Sequence, residues 1–310
     1  MAIRHVPKRM SWVMDAVLVR TPVQPILASK TAGRLVVLAY HGIVDPARFS
    51  LQIEYLRETM EIVSLSEVLQ AITGERTLPA RSVLITFDDA DRSIVEYAAP
   101  ILNREGVPAV AFVVAGHLDT DRPFWWNEVE ELYVRGASLR DFGPNGQAWV
   151  KRLKEIPDSD RRRVITRLRR AHAGSPVKAL HLKKSDLGLL GAAGISIGNH
   201  TMTHPVLDRC SDRRIASEIR RSHKVLFRAT GAAPRAFAYP NGNYDVRAVK
   251  VMKGLGYEAG FLFDHRTCPF PPIDPFRVSR VRVSSATPLD RFRLIISGLH
   301  PALHHALGRS

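Results

Sequence analysis

Cysteine is almost missing from this chain: its 310 residues include two, Cys210 and Cys268, far apart and without CxxC spacing. That excludes a disulfide scaffold and a thiolate zinc site, and it suits a reducing compartment. Acidic residues are also scarce. Asp and Glu number 30 against 45 Lys and Arg, a formal net charge of +15, which favours contact with a polyanion or an anionic membrane. Much of the excess is clustered, as in Arg161-Arg162-Arg163, Arg169-Arg170, Arg213-Arg214 and Arg220-Arg221. These runs fall on helix-like segments, where they read as solvated faces. No helix-turn-helix, zinc-finger or aromatic-basic pattern accompanies them, so no specific nucleic-acid partner is expected.

A long apolar run is missing as well. The stretch Trp12 to Val19 is interrupted by Asp15 and closed by Arg20, Pro22 and Pro25, so it is too short to span a bilayer and makes a poor secretory signal. Residues 1–33 read as a peripheral segment, either a helix packed on the body or a basic amphipathic contact with an anionic membrane. A cytoplasmic location is expected, with a membrane-peripheral one as the variant. Nothing in the sequence selects an oligomeric state.

What is present is an α/β rhythm. Hydrophobic residues make up 45% of the chain, enough for the core of one large domain, taken as 34–300 with a tail at 301–310. Strands are expected at Leu35–Tyr40, Ser82–Phe87, Pro108–Val114, Ile195–Gly198, Ala236–Tyr239, Tyr257–Phe263 and Val278–Val283, alternating with helices. That order belongs to a parallel sheet or barrel with crossover helices. A short helix is read as capped by Ser66. The polar, basic, turn-rich stretch 141–185 breaks the rhythm and is taken as a helical insertion beside the site.

Polar clusters follow the strands. His200 and His204 stand four residues apart after one run, a spacing that fits a hydrogen-bonded structural pair or two ligands of one metal. Asp88 and Asp89 end another run, and two histidines with one carboxylate make a three-ligand site with open positions. Ligands of parallel α/β folds bind at the C-terminal strand ends, so His41, Asp88, Asp89, His200, His204 and Asn241 are expected to converge. The loop Phe124-Trp125-Trp126 reads as a lid, a sugar-stacking face or plain core.

Four stretches together resemble the polysaccharide deacetylase family, the NodB-homology carbohydrate esterases, in a permuted branch. Thr86-Phe87-Asp88-Asp89-Ala90 is similar to its TFDDG motif, His200-Thr201-Met202-Thr203-His204 to its HTxxH motif, Phe237-Ala238-Tyr239-Pro240-Asn241-Gly242 to its third motif, and Tyr40-His41-Gly42 to the histidine of the permuted branch. The resemblance implies a distorted (β/α) barrel of about seven parallel strands and hydrolysis of the N-acetyl group of an amino sugar in an oligosaccharide, polysaccharide or lipid-linked glycan. It implies Asp89, His200 and His204 as ligands of a divalent metal, zinc by default with cobalt, nickel or manganese as competitors. It also implies Asp88 as general base, His41 as general acid, and Tyr239, Asn241 and Arg280 on the substrate or oxyanion side; Trp126, on the stacking reading of the paired tryptophans, is placed on the substrate side with them. Two departures stand out: Ala90 replaces the family's glycine, and Ala238 stands where many relatives have the arginine that orients the base, a place Arg280 fits instead. Two other readings stay open at this stage: a deacetylase-like barrel that binds glycan or an anionic surface without turnover, and an Fe(II) oxygenase with the same ligand set.

Overall fold

The computed structural model describes residues 33–139, 141–172 and 178–299; the N-terminal segment to residue 32 and the tail after 299 lie outside them. Strand β1 (Arg34–Tyr40) is followed by helix α1 (Pro46–Thr59), a short β2 (Glu61–Ile62) and helix α2 (Leu65–Ile72). The cap of α2 is Ser64 rather than Ser66. The Ser64 hydroxyl accepts from the Glu67 N–H and the Glu67 carboxylate accepts from the Ser64 N–H, a reciprocal box that Ser66, inside the first turn, cannot form.

Strand β3 (Ser82–Asp89) is buried along its whole length and runs on through both aspartates, beyond the expected end at Phe87. A π turn, Ile94–Ala98, leads into α3 (Ala99–Glu105), which Gly106 ends in the left-handed conformation. Then come β4 (Ala109–Val113), α4 (Trp125–Val134), α5 (Gly146–Glu155), α6 (Asp158–Ala171) and α7 (Lys184–Ala192). The chain continues through β5 (Ile195–Asn199), α8 (Asp212–Thr230), β6 (Ala236–Ala238), α9 (Val246–Lys253), β7 (Ala259–Phe261), β8 (Cys268–Pro269), β9 (Val281–Arg282) and α10 (Leu289–Ile296). No helix among the described residues is long and apolar enough to cross a membrane.

The strands form one curled sheet in the order β7-β6-β5-β4-β3-β1-β8. It is mixed rather than wholly parallel, because β8 runs antiparallel to β1 at Arg34 and Leu35; no crossover helix separates β7 from β8, so the chain returns in the opposite sense. The curl is closed by one short segment. Val278 bridges Phe261 of β7, while Val281 and Arg282 pair with Leu38 and Ala39 of β1. The run expected as a strand over 278–283 is therefore regular only at β9, since it changes partners half-way, and Arg280 sits at the change.

Side-chain alternation sorts the strands into two faces. Leu35, Val37, Leu84, Val110, Phe112, Ala238 and Phe261 share one cluster inside the curl. Val36, Leu38, Val83, Ile85, Ala109 and Ala111 pack on the surrounding helices. Helices α4, α5 and α6 bury a core of their own around Trp125, Val129, Trp149, Leu153, Ile165 and Leu168.

Close approach inside the curl constrains β5. A Cβ on Gly198 would lie 2.4 Å from the Phe112 ring, which packs on Phe261 and beneath the Arg280 guanidinium. Gly198→Ala is expected to destabilise the fold by about 1–3 kcal/mol through overpacking, measured as a lowered midpoint in chemical denaturation with an unchanged slope.

Candidate active site

Alternation along β3 brings Thr86 and Asp88 to the same face as Leu84, inside the curl, where Arg280 meets them. The Arg280 guanidinium donates to both Asp88 oxygens, at 2.7 and 2.8 Å, and to Thr86 Oγ1 at 3.1 Å, while its Nε donates to the Leu262 carbonyl at 2.6 Å. Arg280 is fully buried and so is not a solvent-facing charge. Burial alone would raise the Asp88 pKa; Arg280 and, more weakly, His200 and His41 outweigh it and hold Asp88 down at about 2. Asp88 thus takes its cation from the segment that closes the curl, between the Val278 bridge and β9.

Asp89 has no such partner. Its φ of +85° turns it out of the strand pattern, and Ala90 follows at +112°, a left-handed stretch that glycine tolerates and alanine adopts with strain. Burial, then the charges of Asp88 and Asp91, push Asp89 up to about 8. Its buried Oδ1 lacks a hydrogen-bond partner.

The two histidines are set by their loop. The His200 Nδ1 lies 2.8 Å from the Ala238 carbonyl, which fixes the proton there and turns the Nε2 lone pair towards Asp89. The Thr201 N–H donates to Asn199 Oδ1 at 2.8 Å, and the His204 N–H donates to Thr201 Oγ1 at 3.0 Å. Buried Glu218, on the apolar stripe of α8, accepts from the backbone N–H groups of Met202 and Thr203 and from the Thr203 hydroxyl. Sequence reading passed over Glu218, although an acid among Ile215, Ile219 and Ser222 at helical spacing is the signal that marks it. Thr201 and His204 both have positive φ, 70° and 52°, so the loop holds an unfavourable backbone to aim its rings. Burial lowers His200 to about 4 and holds His204 well below the usual imidazole range; both rings are neutral, as ligands must be.

His200 Nε2 and His204 Nε2 lie 3.7 and 3.4 Å from Asp89 Oδ1. Among the described residues these three form the one group of ligating side chains whose donor atoms all lie within 4.8 Å of one another. Two neutral imidazoles, an unpartnered buried carboxylate oxygen and a carboxyl group that burial alone disfavours as an anion fit a divalent cation.

The remaining expected residues divide. His41, at the end of β1, places Nε2 4.0 Å from Asp89 Oδ2 with 45% of its side chain exposed, its ring edge-on to Phe263 at 5.6 Å between centroids. The cleft walls shield it from bulk water and lower its pKa, against the pull of Asp88, which raises it. Trp126 lies edge-on to His204 at 4.6 Å, while Trp125 is buried and donates Nε1–H to the His204 carbonyl at 3.1 Å; the pair joins α4 at its start rather than the preceding loop. Asn241, with φ of +60°, follows β6 and accepts at Oδ1 from Lys154 Nζ at 2.8 Å. Lys154, on α5, was not anticipated; a lone lysine in a basic run carries no signal. Tyr239 does not join the cluster. Its ring packs with α8 and α9 and its hydroxyl donates to the Phe276 carbonyl at 3.0 Å, because alternation after inward Ala238 turns it outward.

The sequence pattern of the polysaccharide deacetylases matches residues 75–260, well over half of the chain. The chain belongs to the polysaccharide deacetylase family. Its members in the comparison include the poly-beta-1,6-N-acetyl-D-glucosamine N-deacetylase of Staphylococcus epidermidis, 25% identical over 260 residues, covering 82% of this chain and 71% of that protein. The enzyme of the same name from Staphylococcus aureus is 23% identical over 242 residues, covering 78% and 68%. Among solved structures, IcaB from Ammonifex degensii superposes with a TM-score of 0.59 at 22% identity, covering 86% of this chain and 97% of that one. The Streptococcus pyogenes deacetylase PplD, in complex with acetate, gives 0.59 at 18%, covering 84% and 98%. The distorted-barrel fold is shared, and as a polysaccharide deacetylase the chain is a hydrolase acting on carbon-nitrogen amide bonds rather than an oxygenase.

Removing one partner of a buried ion pair strands the other. Arg280→Met is expected to cost about 3–5 kcal/mol of folding stability. Combining it with Asp88→Asn restores part of the loss, and a double-mutant cycle in urea should return a coupling above about 1 kcal/mol.

Proposed function

We propose that this deacetylase hydrolyses the N-acetyl group of an amino sugar within an oligosaccharide, polysaccharide or lipid-linked glycan, with a divalent metal held by Asp89, His200 and His204. The observation that carries the reading is the contrast between adjacent carboxylates: Asp88 clamped by Arg280, Asp89 unpaired beside two neutral imidazoles. A bound divalent cation supplies Lewis-acid polarisation of the amide carbonyl and a lowered pKa for water; zinc is the default, with cobalt, nickel and manganese competing for a nitrogen and oxygen site.

The chain's own residues do the rest. Asp88, ionised and held in one orientation by Arg280, accepts the proton of the attacking water. His41, on the open side of the cluster, delivers a proton to the departing amine. The backbone N–H of Asn241 donates to the developing oxyanion, with Lys154 steadying that turn through the Asn241 side chain. Trp126 offers an aromatic face beside His204 on which a sugar ring can lie. Tyr239, packed outward, contributes backbone only. A reading in which the barrel binds glycan without turnover has no observation in its favour.

Zinc- or cobalt-loaded protein should release acetate from N-acetylglucosamine oligomers, and chelation should abolish the release. Asp88→Asn is expected to lower kcat by at least about 100-fold with metal content unchanged by atomic emission, whereas Asp89→Ala should lose the metal. Metal-replete protein that frees no acetate from any N-acetylated glycan in a panel would overturn the reading.

A further inference from the structure

Beside the cleft lies an open groove of about 840 Å³ that the proposed chemistry does not use, with Arg92, Asp119, Asp121, Arg122, His181 and Lys183 in its walls. Its acids are neutralised locally: Asp119 pairs with Lys184 at 3.0 Å and Asp121 with Lys178 at 3.4 Å. Arg92 is occupied by Glu96 and Asp186, at 3.1 and 2.9 Å. Arg122 and Lys183 form no ion pair with any described residue. Arg92, Arg122, Lys178, Lys183 and Lys184 face four carboxylates, Glu96, Asp119, Asp121 and Asp186, and the excess of positive charge on the Arg122 and Lys183 side of this concave wall favours a negatively charged ligand.

The groove is joined to the cleft by a run of rings. Buried His181 meets Phe124 at 4.9 Å, Phe124 stacks on Trp126 at 4.5 Å with planes 4° apart, and Trp126 meets His204 at 4.6 Å. A glycan entering the cleft across Trp126 would continue towards Arg122 and Lys183. Charge bears on which glycan that is. Each deacetylation leaves an amine that is protonated near neutral pH, and a chain of formal net charge +15 repels a neutral amino-sugar polymer more strongly with every turnover, unless the substrate brings negative charge of its own.

We propose that the groove walled by Arg122, Lys183 and His181 seats an oxyanion, a phosphate ester or a carboxylate, borne by the glycan whose N-acetyl group enters the cleft. The inference rests on the deacetylase reading for its substrate, and on the groove alone for its charge preference.

Calorimetric titration of the metal-loaded full chain separates the two. The probes are a neutral N-acetylglucosamine tetramer, the same tetramer bearing a terminal phosphate, and the same tetramer ending in a uronate. The anionic tetramers should bind about tenfold more tightly than the neutral one, with the advantage shrinking as salt rises. The larger advantage among the two anionic probes identifies the oxyanion. In the double variant Arg122→Gln, Lys183→Gln the advantage should vanish, while affinity and kcat for the neutral tetramer stay unchanged. Equal affinity for all three probes, or a charge preference that survives the double substitution, overturns the groove assignment. Charge-selective binding without acetate release would sink the deacetylase reading alone, and normal release without charge preference would sink the groove alone.

Discussion

Asp88 and Asp89 are buried side by side at the end of β3, and the guanidinium of Arg280 makes a bidentate pair with only the first of them. The rest of the cleft depends on this uneven compensation. Two adjacent carboxylates in a shielded site cannot both be anions without cations to match. Arg280 settles Asp88 as an anion, and the field of that anion makes Asp89 harder to ionise. The pair therefore has one charge fixed by the protein and one that a cation must draw out.

Arg280 reaches Asp88 because of how the sheet closes. The segment that carries it is bonded to β7 on one side and to β1 on the other, so the arginine seals the curl and pairs the carboxylate in a single contact. Phe112 and Phe263 lie against its faces, at 5.4 and 5.8 Å, and the tight fit of Phe112 on Gly198 ties this contact to β5, the strand that delivers His200. Backbone conformations of positive φ at Asp89, Ala90, Thr201, His204 and Asn241 show where the chain holds unfavourable geometry. They lie at the strand ends around the cleft, as expected where side-chain direction outweighs local comfort.

Much of this was legible in the sequence. Each of the seven apolar runs holds a strand of the sheet, because an apolar run of strand length bounded by polar residues leaves a clear pattern. Polar residues directly after those runs named His41, Asp88, Asp89, His200, His204 and Asn241. What the pattern missed depends on neighbours remote in the chain. The antiparallel β8, the buried brace of Glu218 on the histidine loop, and Lys154 reaching Asn241 from α5 each involve partners that spacing alone does not reveal. The Tyr239 ring lies away from the cleft for a local reason, since period-two alternation after an inward Ala238 sends it outward.

By itself the sequence determined the family, the order of strands and helices, and the set of residues able to carry metal and acid-base chemistry, because residue type and spacing decide those directly. Only the tertiary structure decided that Arg280 is a buried partner rather than a surface charge, that Asp89 and not Asp88 is left without a cation, and that the paired tryptophans split into a core anchor and a cleft wall. Those outcomes are differences in burial and in through-space charge between residues up to 192 positions apart. A linear pattern carries no distance across the barrel, and in a shielded site a few ångströms decide which carboxylate is charged.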